Sequence, residues 1–166
     1  MKLFHGSDTV VRGPLANVGR AKVDFGQGFY LTKLRGQAES WAKTIASRGR
    51  NRKAFLNVYE FDTAAARRDL GQRYKVFDAY DIPWLDYVVD CRAGGNLQNQ
   101  YDVVEGGVAN DNVIDTVEDY ENGRITAEQA LGQLAYKKVN HQICISAQVV
   151  IDIYLRHVES VELKGE

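Results

Sequence analysis

Proline is almost missing from this chain, two in 166 residues, and cysteine and methionine are nearly so, at two and one. With no biased or repetitive stretch beside them, so few prolines exclude a Pro-rich linker, a collagen-like fibre and a repeat array. Cys91 and Cys144 lie far apart, in no C-x-x-C and with no histidine at ligand spacing. That removes a disulfide scaffold and a zinc module, implies no metal, and leaves two reduced thiols as the expectation. Long apolar runs are missing too: the longest, Val149 to Leu155, is short and contains Asp152, so no membrane span is expected. Met1-Lys2-Leu3-Phe4 runs straight into His5 without the apolar stretch of a signal peptide, and the expected compartment is cytoplasmic. Finally, neither charge is in surplus, with 21 Lys+Arg against 22 Asp+Glu. The balance gives no bulk attraction to phosphate, although Arg48, Arg50, Arg52 and Lys53 would form a local basic patch. What remains is a sequence 45% hydrophobic and 26% charged, which reads as a single globular domain over residues 1–166. A domain of this size buries roughly 70% of its extended-chain surface and holds its core without staples.

Strand and helix signals alternate irregularly. Lys2 to His5 reads as a strand with Leu3 and His5 on one face and Phe4 on the other, ended by Gly6. Gly6 to Lys22, punctuated by Gly6, Gly13, Pro14 and Gly19, reads as a long surface connection. Asp24-Phe25-Gly26-Gln27-Gly28-Phe29-Tyr30-Leu31-Thr32 leads from a glycine-rich turn into a short aromatic strand, with Thr32 expected to cap the next helix. Leu34, Ala38, Trp41, Ala42 and Ile45 share the buried stripe of that helix. A strand follows over Ala54 to Phe61, then two short helices between Ala64 and Arg92, the second with Pro83 in its first turn. Tyr101 to Glu105 is a strand candidate. Asn110 to Gly123 and Ala127 to Lys138 form a helical hairpin, the second arm opened by the capping box Thr126-x-x-Gln129. Its acidic residues, among them Asp111, Asp115, Glu118, Asp119, Glu121 and Glu128, read as a solvated face, and the hairpin itself could cover a cleft, recognise an acceptor or dock a partner. His141 to Ser146 and Ile151 to Leu155 close the chain as two strands, the last extended toward Val161. Strands interrupted by irregular helices predict an α+β domain rather than a doubly wound sheet, and Gly26-x-Gly28 lacks the third glycine and following helix of a dinucleotide fingerprint.

Polar groups stand where a plain core has no use for them at His5-Gly6-Ser7, at Gly26-x-Gly28-Phe29-Tyr30 and at Asn140-His141-Gln142. Each has an ordinary reading, as a satisfied core histidine, a buried structural tyrosine or a surface strand residue. In their order and spacing, however, His5-Gly6-Ser7 and Phe25-Gly26-Gln27-Gly28-Phe29-Tyr30 resemble the first two motifs of the ADP-ribosyltransferase superfamily, in the branch of the poly(ADP-ribose) polymerases and diphtheria toxin. Trp41, eleven residues after Tyr30, matches the place of a second aromatic in that family. The sequence is also similar over nearly its whole length to a bacterial family of unknown function. The shared stretches are Leu3 to Ser7, Asp24 to Thr32, Gln37 to Ala42, Tyr101 to Val104 and Gln142-Ile143-Cys144-Ile145.

The resemblance implies a split β-sheet core with surrounding helices, NAD as co-substrate, and transfer of ADP-ribose to a protein or nucleic-acid acceptor, as in a bacterial toxin or modification enzyme with a neutralising antitoxin partner. By that analogy His5, Tyr30 and Gln142 are the catalytic set. His5 holds an adenosine-ribose hydroxyl, the Gly6 backbone meets the nicotinamide amide with Ser7 assisting, and Gly28 lies in the binding turn. Tyr30 and Trp41 sandwich the nicotinamide ring, and Arg12 or Arg20 meets the pyrophosphate. Gln142 stands where the best-known members carry glutamate; it hydrogen-bonds a ribose hydroxyl but supplies no full negative charge. Chain elongation is therefore disfavoured and single transfer remains, with Asp102 or Glu105 as candidates for the missing carboxylate. Asn140, two residues earlier, suits an amide, a thiol or a nucleobase better than an arginine. A non-catalytic NAD or ADP-ribose module and a scaffold that kept only the fold are the alternatives.

Overall fold

A computed structural model describes residues 1–110, 113–135, 137 and 140–165. Its elements are β1 (Lys2–Ser7), β2 (Phe29–Leu31), α1 (Arg35–Ser47), β3 (Ala54–Phe61), α2 (Thr63–Leu70), β4 (Tyr74–Val76), α3 (Ile82–Arg92), β5 (Val103–Gly106), α4 (Ile114–Glu121), α5 (Ala127–Leu134), β6 (Gln142–Ile145), α6 (Gln148–Tyr154) and β7 (Leu155–Leu163). The fold is α+β. Its strands form two sheets, β1-β3-β7, fully antiparallel, and β2-β6-β5-β4, antiparallel except for the β4/β5 pair.

Period-two burial decides which side chains meet. Leu3, Tyr59 and Phe61 from the first sheet and Phe29, Leu31, Val103, Ile143 and Ile145 from the second enclose one core. The opposite face of β1 and β3 presents Phe4, Leu56 and Val58 to Ala38 on α1. The far face of the second sheet, with Val104 and Cys144, packs under Trp84, Leu85 and Val88 of α3, Val117 of α4 and Ala130 and Leu134 of α5.

The local signals explain several helix ends. Asp81 accepts the Trp84 N–H at 3.0 Å and Pro83 fills the first turn of α3. Thr126 and Gln129 close their reciprocal capping box on α5. Thr32 is not the cap of α1: the helix starts beyond Leu34, and the Thr32 hydroxyl accepts the Leu34 N–H at 3.1 Å in the turn before it. Trp41 and Leu34 also leave the expected buried stripe, since Ala38 and Ala42 alone make the close approach to the sheet and both larger side chains are exposed.

Two elements depart from expectation. Tyr74–Val76 is an edge strand rather than part of a helical pair, and three residues are too few to show a period. The β-branched run after Gln148 is helical as far as Tyr154: Ala147, Val150, Ile151 and Tyr154 fall at i, i+3, i+4 and i+7 and pack on the inter-sheet core, while Val149 and Ile153 face outward. The closing strand starts only at Leu155. Asp111, and Lys138 at the expected end of α5, lie outside the described residues. Among the described residues no helix is long and apolar enough to cross a membrane.

Candidate functional site

The two sheets touch at one point and then part. Phe4 and Thr32 form a single antiparallel bridge between β1 and β2, with both backbone hydrogen bonds made, at 2.8 and 2.9 Å. Because strand residues alternate the direction of their backbone groups, the next pair in that register is Gly6 with Tyr30. That pair is not made. Instead the His5 ring donates from Nδ1 to the Tyr30 carbonyl at 2.7 Å, a direction fixed because a carbonyl only accepts. His5 stacks on Phe29 with ring centroids 4.5 Å apart, and burial lowers its pKa against the smaller opposing effect of the Tyr30 carbonyl. A neutral ring with its hydrogen on Nδ1 leaves Nε2 as an acceptor.

Gly6 beside it is buried. A Cβ there would fall 2.0 Å from the Ala38 carbonyl oxygen and 2.8 Å from the Ala42 nitrogen, so only glycine lets α1 press against this end of β1. Its own N–H and C=O, which alternation directs toward the β2 edge, have no backbone partner among the described residues. Ser7, last in the strand, pairs its hydroxyl with Thr9 at 3.3 Å in a local turn.

Tyr30 and Gln142 lie on the other face of the second sheet from the His5 and Phe29 side chains. Tyr30 stands opposite Cys144, which makes Gln142 its diagonal neighbour. The Tyr30 hydroxyl donates to the Gly26 carbonyl at 2.5 Å and accepts the Phe25 N–H at 3.1 Å, which ties the strand back onto the turn preceding it. Gly26 sits at φ 78°, in the left-handed region that this turn requires. Burial first, and the neighbouring Cys144 next, push the Tyr30 pKa far above the phenol range, so it stays a neutral donor. Gly28 permits the close pairing of β2 with β6: a Cβ there would meet Cys144 Sγ at 2.5 Å and the Ile145 carbonyl at 2.8 Å.

Gln142 is 7% exposed, and its Nε2 donates to Asp24 Oδ2 at 3.4 Å and to the Gly107 carbonyl at 3.3 Å. Asp24, also buried, is itself held by Arg92 at 3.1 Å and by the Ala109 N–H at 2.9 Å. Asp24 is the site residue that sequence reasoning overlooked. Its signal was present as a lone carboxylate heading the glycine-rich turn, but nothing in the pattern tells which strand that turn faces.

The two carboxylates named as stand-ins do not serve. Asp102 is turned to the surface, in a two-point pair with Arg73 at 2.7 and 2.8 Å. Glu105 is paired with Ile143, so its side chain takes the face away from Gln142. There it accepts from His141 Nε2 at 2.9 Å, from the Tyr74 hydroxyl at 2.9 Å and from Arg67 at 3.0 Å. Burial by itself would raise the Glu105 pKa, but these donors outweigh it and hold the carboxyl at about 2. His141 Nδ1 accepts the Lys33 N–H at 3.0 Å, so both ring nitrogens are engaged and the imidazole has no position from which to move a substrate proton.

Trp41 is the sequence-nominated residue that the fold does not draw in: it is 43% exposed on α1, with the Arg48 guanidinium 5.2 Å from its ring centre. Arg12 and Arg20 are exposed on the connection between β1 and β2.

Residues 1–156 match the model of a family described as protein of unknown function (DUF3990). The chain belongs to the DUF3990 family. That match takes in the β1–β2 split, the Asp24 turn, the Glu105 cluster and Gln142, and stops within β7. No curated protein and no solved structure matches this DUF3990 chain.

Proposed function

We propose that this protein is an NAD-dependent mono-ADP-ribosyltransferase of an H-Y-Q type, acting on a protein or nucleic-acid acceptor as a bacterial toxin or modification enzyme. The observation that carries the reading is the parting of β1 from β2 at His5, Gly6 and Tyr30, beside the strand that bears Gln142. A split of this kind leaves one N–H and one C=O of Gly6 without a backbone partner among the described residues, the complement of a carboxamide, and a carboxamide is what nicotinamide presents. His5 Nε2, fixed as an acceptor, suits a ribose hydroxyl. Gln142 Oε1 is a second acceptor on the same side of the sheet as Tyr30.

In the reaction the bond between the ribose anomeric carbon and the pyridinium nitrogen breaks. Its electron pair leaves with nicotinamide, which becomes neutral, while positive charge builds on the ribose. The acceptor nucleophile then bonds to the anomeric carbon and loses its proton. The chain's own contribution is to hold both ends of NAD so that the acceptor approaches one face of the ribose. Tyr30, neutral and anchored to the Gly26 turn, forms a rigid wall for the nicotinamide ring.

One observation favours a second reading, a binding module without turnover: Gln142 offers no ionised oxygen to the developing cation. Calorimetric titration with NAD, followed by chromatography of the same sample for nicotinamide, separates the two. Binding with release, both lost in His5→Ala, is expected. Binding without release, even after protein and RNA acceptors are added, selects the module, and no binding at millimolar NAD removes both.

A further inference from the structure

We propose that Asp24 is a positioning residue that sets which end of the Gln142 amide meets the substrate, and that this end is the carbonyl oxygen. The proposal deepens the NAD-cleavage reading, on which the identity of the substrate group rests. A glutamine amide can present either a donor or an acceptor by turning over, and its neighbours decide which. Here both neighbours, the Asp24 carboxylate at 3.4 Å and the Gly107 carbonyl at 3.3 Å, accept and never donate. Both amide hydrogens are therefore drawn inward. Gln142 Oε1 makes no hydrogen bond among the described residues.

Asp24 cannot turn away to release the amide. Ala109 N–H holds Oδ2 at 2.9 Å and Arg92 holds Oδ1 at 3.1 Å, and Arg92 reaches Glu118 on α4 at 3.9 Å. The group that meets Oε1 must then be a donor, and the substrate class is one that brings a hydroxyl, the nicotinamide-side ribose in the NAD reading. The same contact accounts for a neutral residue at position 142. A glutamate there would face the Asp24 carboxylate as a like charge, whereas an amide hydrogen-bonded to a carboxylate has its own oxygen polarised toward negative.

Two measurements on the full-length protein test this. In the first, exchange of the Gln142 side-chain amide hydrogens is followed by nitrogen-15 NMR, with no ligand added. The expected result is exchange about tenfold or more slower than in free glutamine, lost in Asp24→Ala. Exchange at the free rate in the wild type overturns the proposal, and this arm needs no variant that has to fold. In the second, nicotinamide release from NAD is measured in the wild type and in folded Asp24→Ala. The variant is expected to lower kcat by about tenfold or more with KM changed less than about threefold. Unchanged kcat in folded Asp24→Ala contradicts the positioning role. A slow-exchanging amide in a protein that neither binds NAD nor releases nicotinamide removes the NAD reading and leaves the orientation of Gln142 standing.

Discussion

Opposite faces of the β2-β6-β5-β4 sheet carry two buried polar clusters, built on neighbouring residues of the same two strands. On one face Glu105 accepts from His141, Tyr74 and Arg67, and His141 accepts in turn from the Lys33 backbone. Both nitrogens of the ring are engaged and the carboxylate is surrounded by donors. On the other face Asp24 and Gly107 hold the Gln142 amide hydrogens, and its oxygen makes no hydrogen bond among the described residues. The first cluster looks more like catalytic machinery, with its histidine, carboxylate and tyrosine, yet it is the saturated one. Saturation marks a structural network, whereas a fixed group with one bond left to make marks a site. What alternation along β5 and β6 teaches is that one residue of offset decides between the two roles: Glu105 pairs with Ile143 and Gly106 with Gln142.

The largest effect is expected on the closed side. Glu105→Ala strands three donors in a buried place and should cost about 3–5 kcal/mol. For a chain of this length that is a fall in Tm on the order of 10 °C, read by calorimetry. A smaller effect comes from pH. The Glu105 pKa is lowered from 4.5 unfolded to about 2 folded, so its contribution is complete above the ordinary carboxylate range and is lost as pH falls through that window. Denaturant midpoints measured between pH 6 and pH 2 should therefore drop less in Glu105→Gln than in the wild type. On the open side the balance reverses. Gln142→Ala should move stability by no more than about 1 kcal/mol, because its two hydrogen bonds are long, while lowering nicotinamide release by about tenfold or more. Trp41→Ala, on the exposed face of α1, should change stability by less than about 0.5 kcal/mol in the same denaturation assay. A fall in NAD affinity in that variant, read by titration, would return Trp41 to the site that its sequence position suggested.

The strands that bear His5, Tyr30 and Gln142 were legible because their neighbours alternate cleanly, although β1 runs on through Gly6, where the sequence put its end, to Ser7. Thr126 and Gln129 announced α5, and Pro83 the start of α3. The misreadings share a cause, in that each depended on what lay across from the residue. The run from Val149 is β-branched enough for a strand, but its buried members keep helical spacing once the inter-sheet core is there to receive them. Tyr74 belongs to a strand because β5 offers a parallel edge, a fact held at Val103 to Glu105 and not at Tyr74. Trp41 sits on the helical stripe by count, yet Gly6 draws α1 so near the sheet that only alanines fit between. Asp24 and Gln142 are 118 residues apart in the chain, and no local pattern links them.

In the proposed reaction the Gln142 cluster takes part and the saturated Glu105 cluster does not. This is tested most directly by incubating wild type, Gln142→Ala and Glu105→Gln with NAD and mixed protein and RNA acceptors, measuring free nicotinamide and melting temperature on each sample. Expected are release by the wild type, release near background with a melt lowered by no more than about 4 °C in Gln142→Ala, and retained release with a lowered melt in Glu105→Gln. Release that survives in Gln142→Ala, or that disappears in folded Glu105→Gln, would contradict that division of roles.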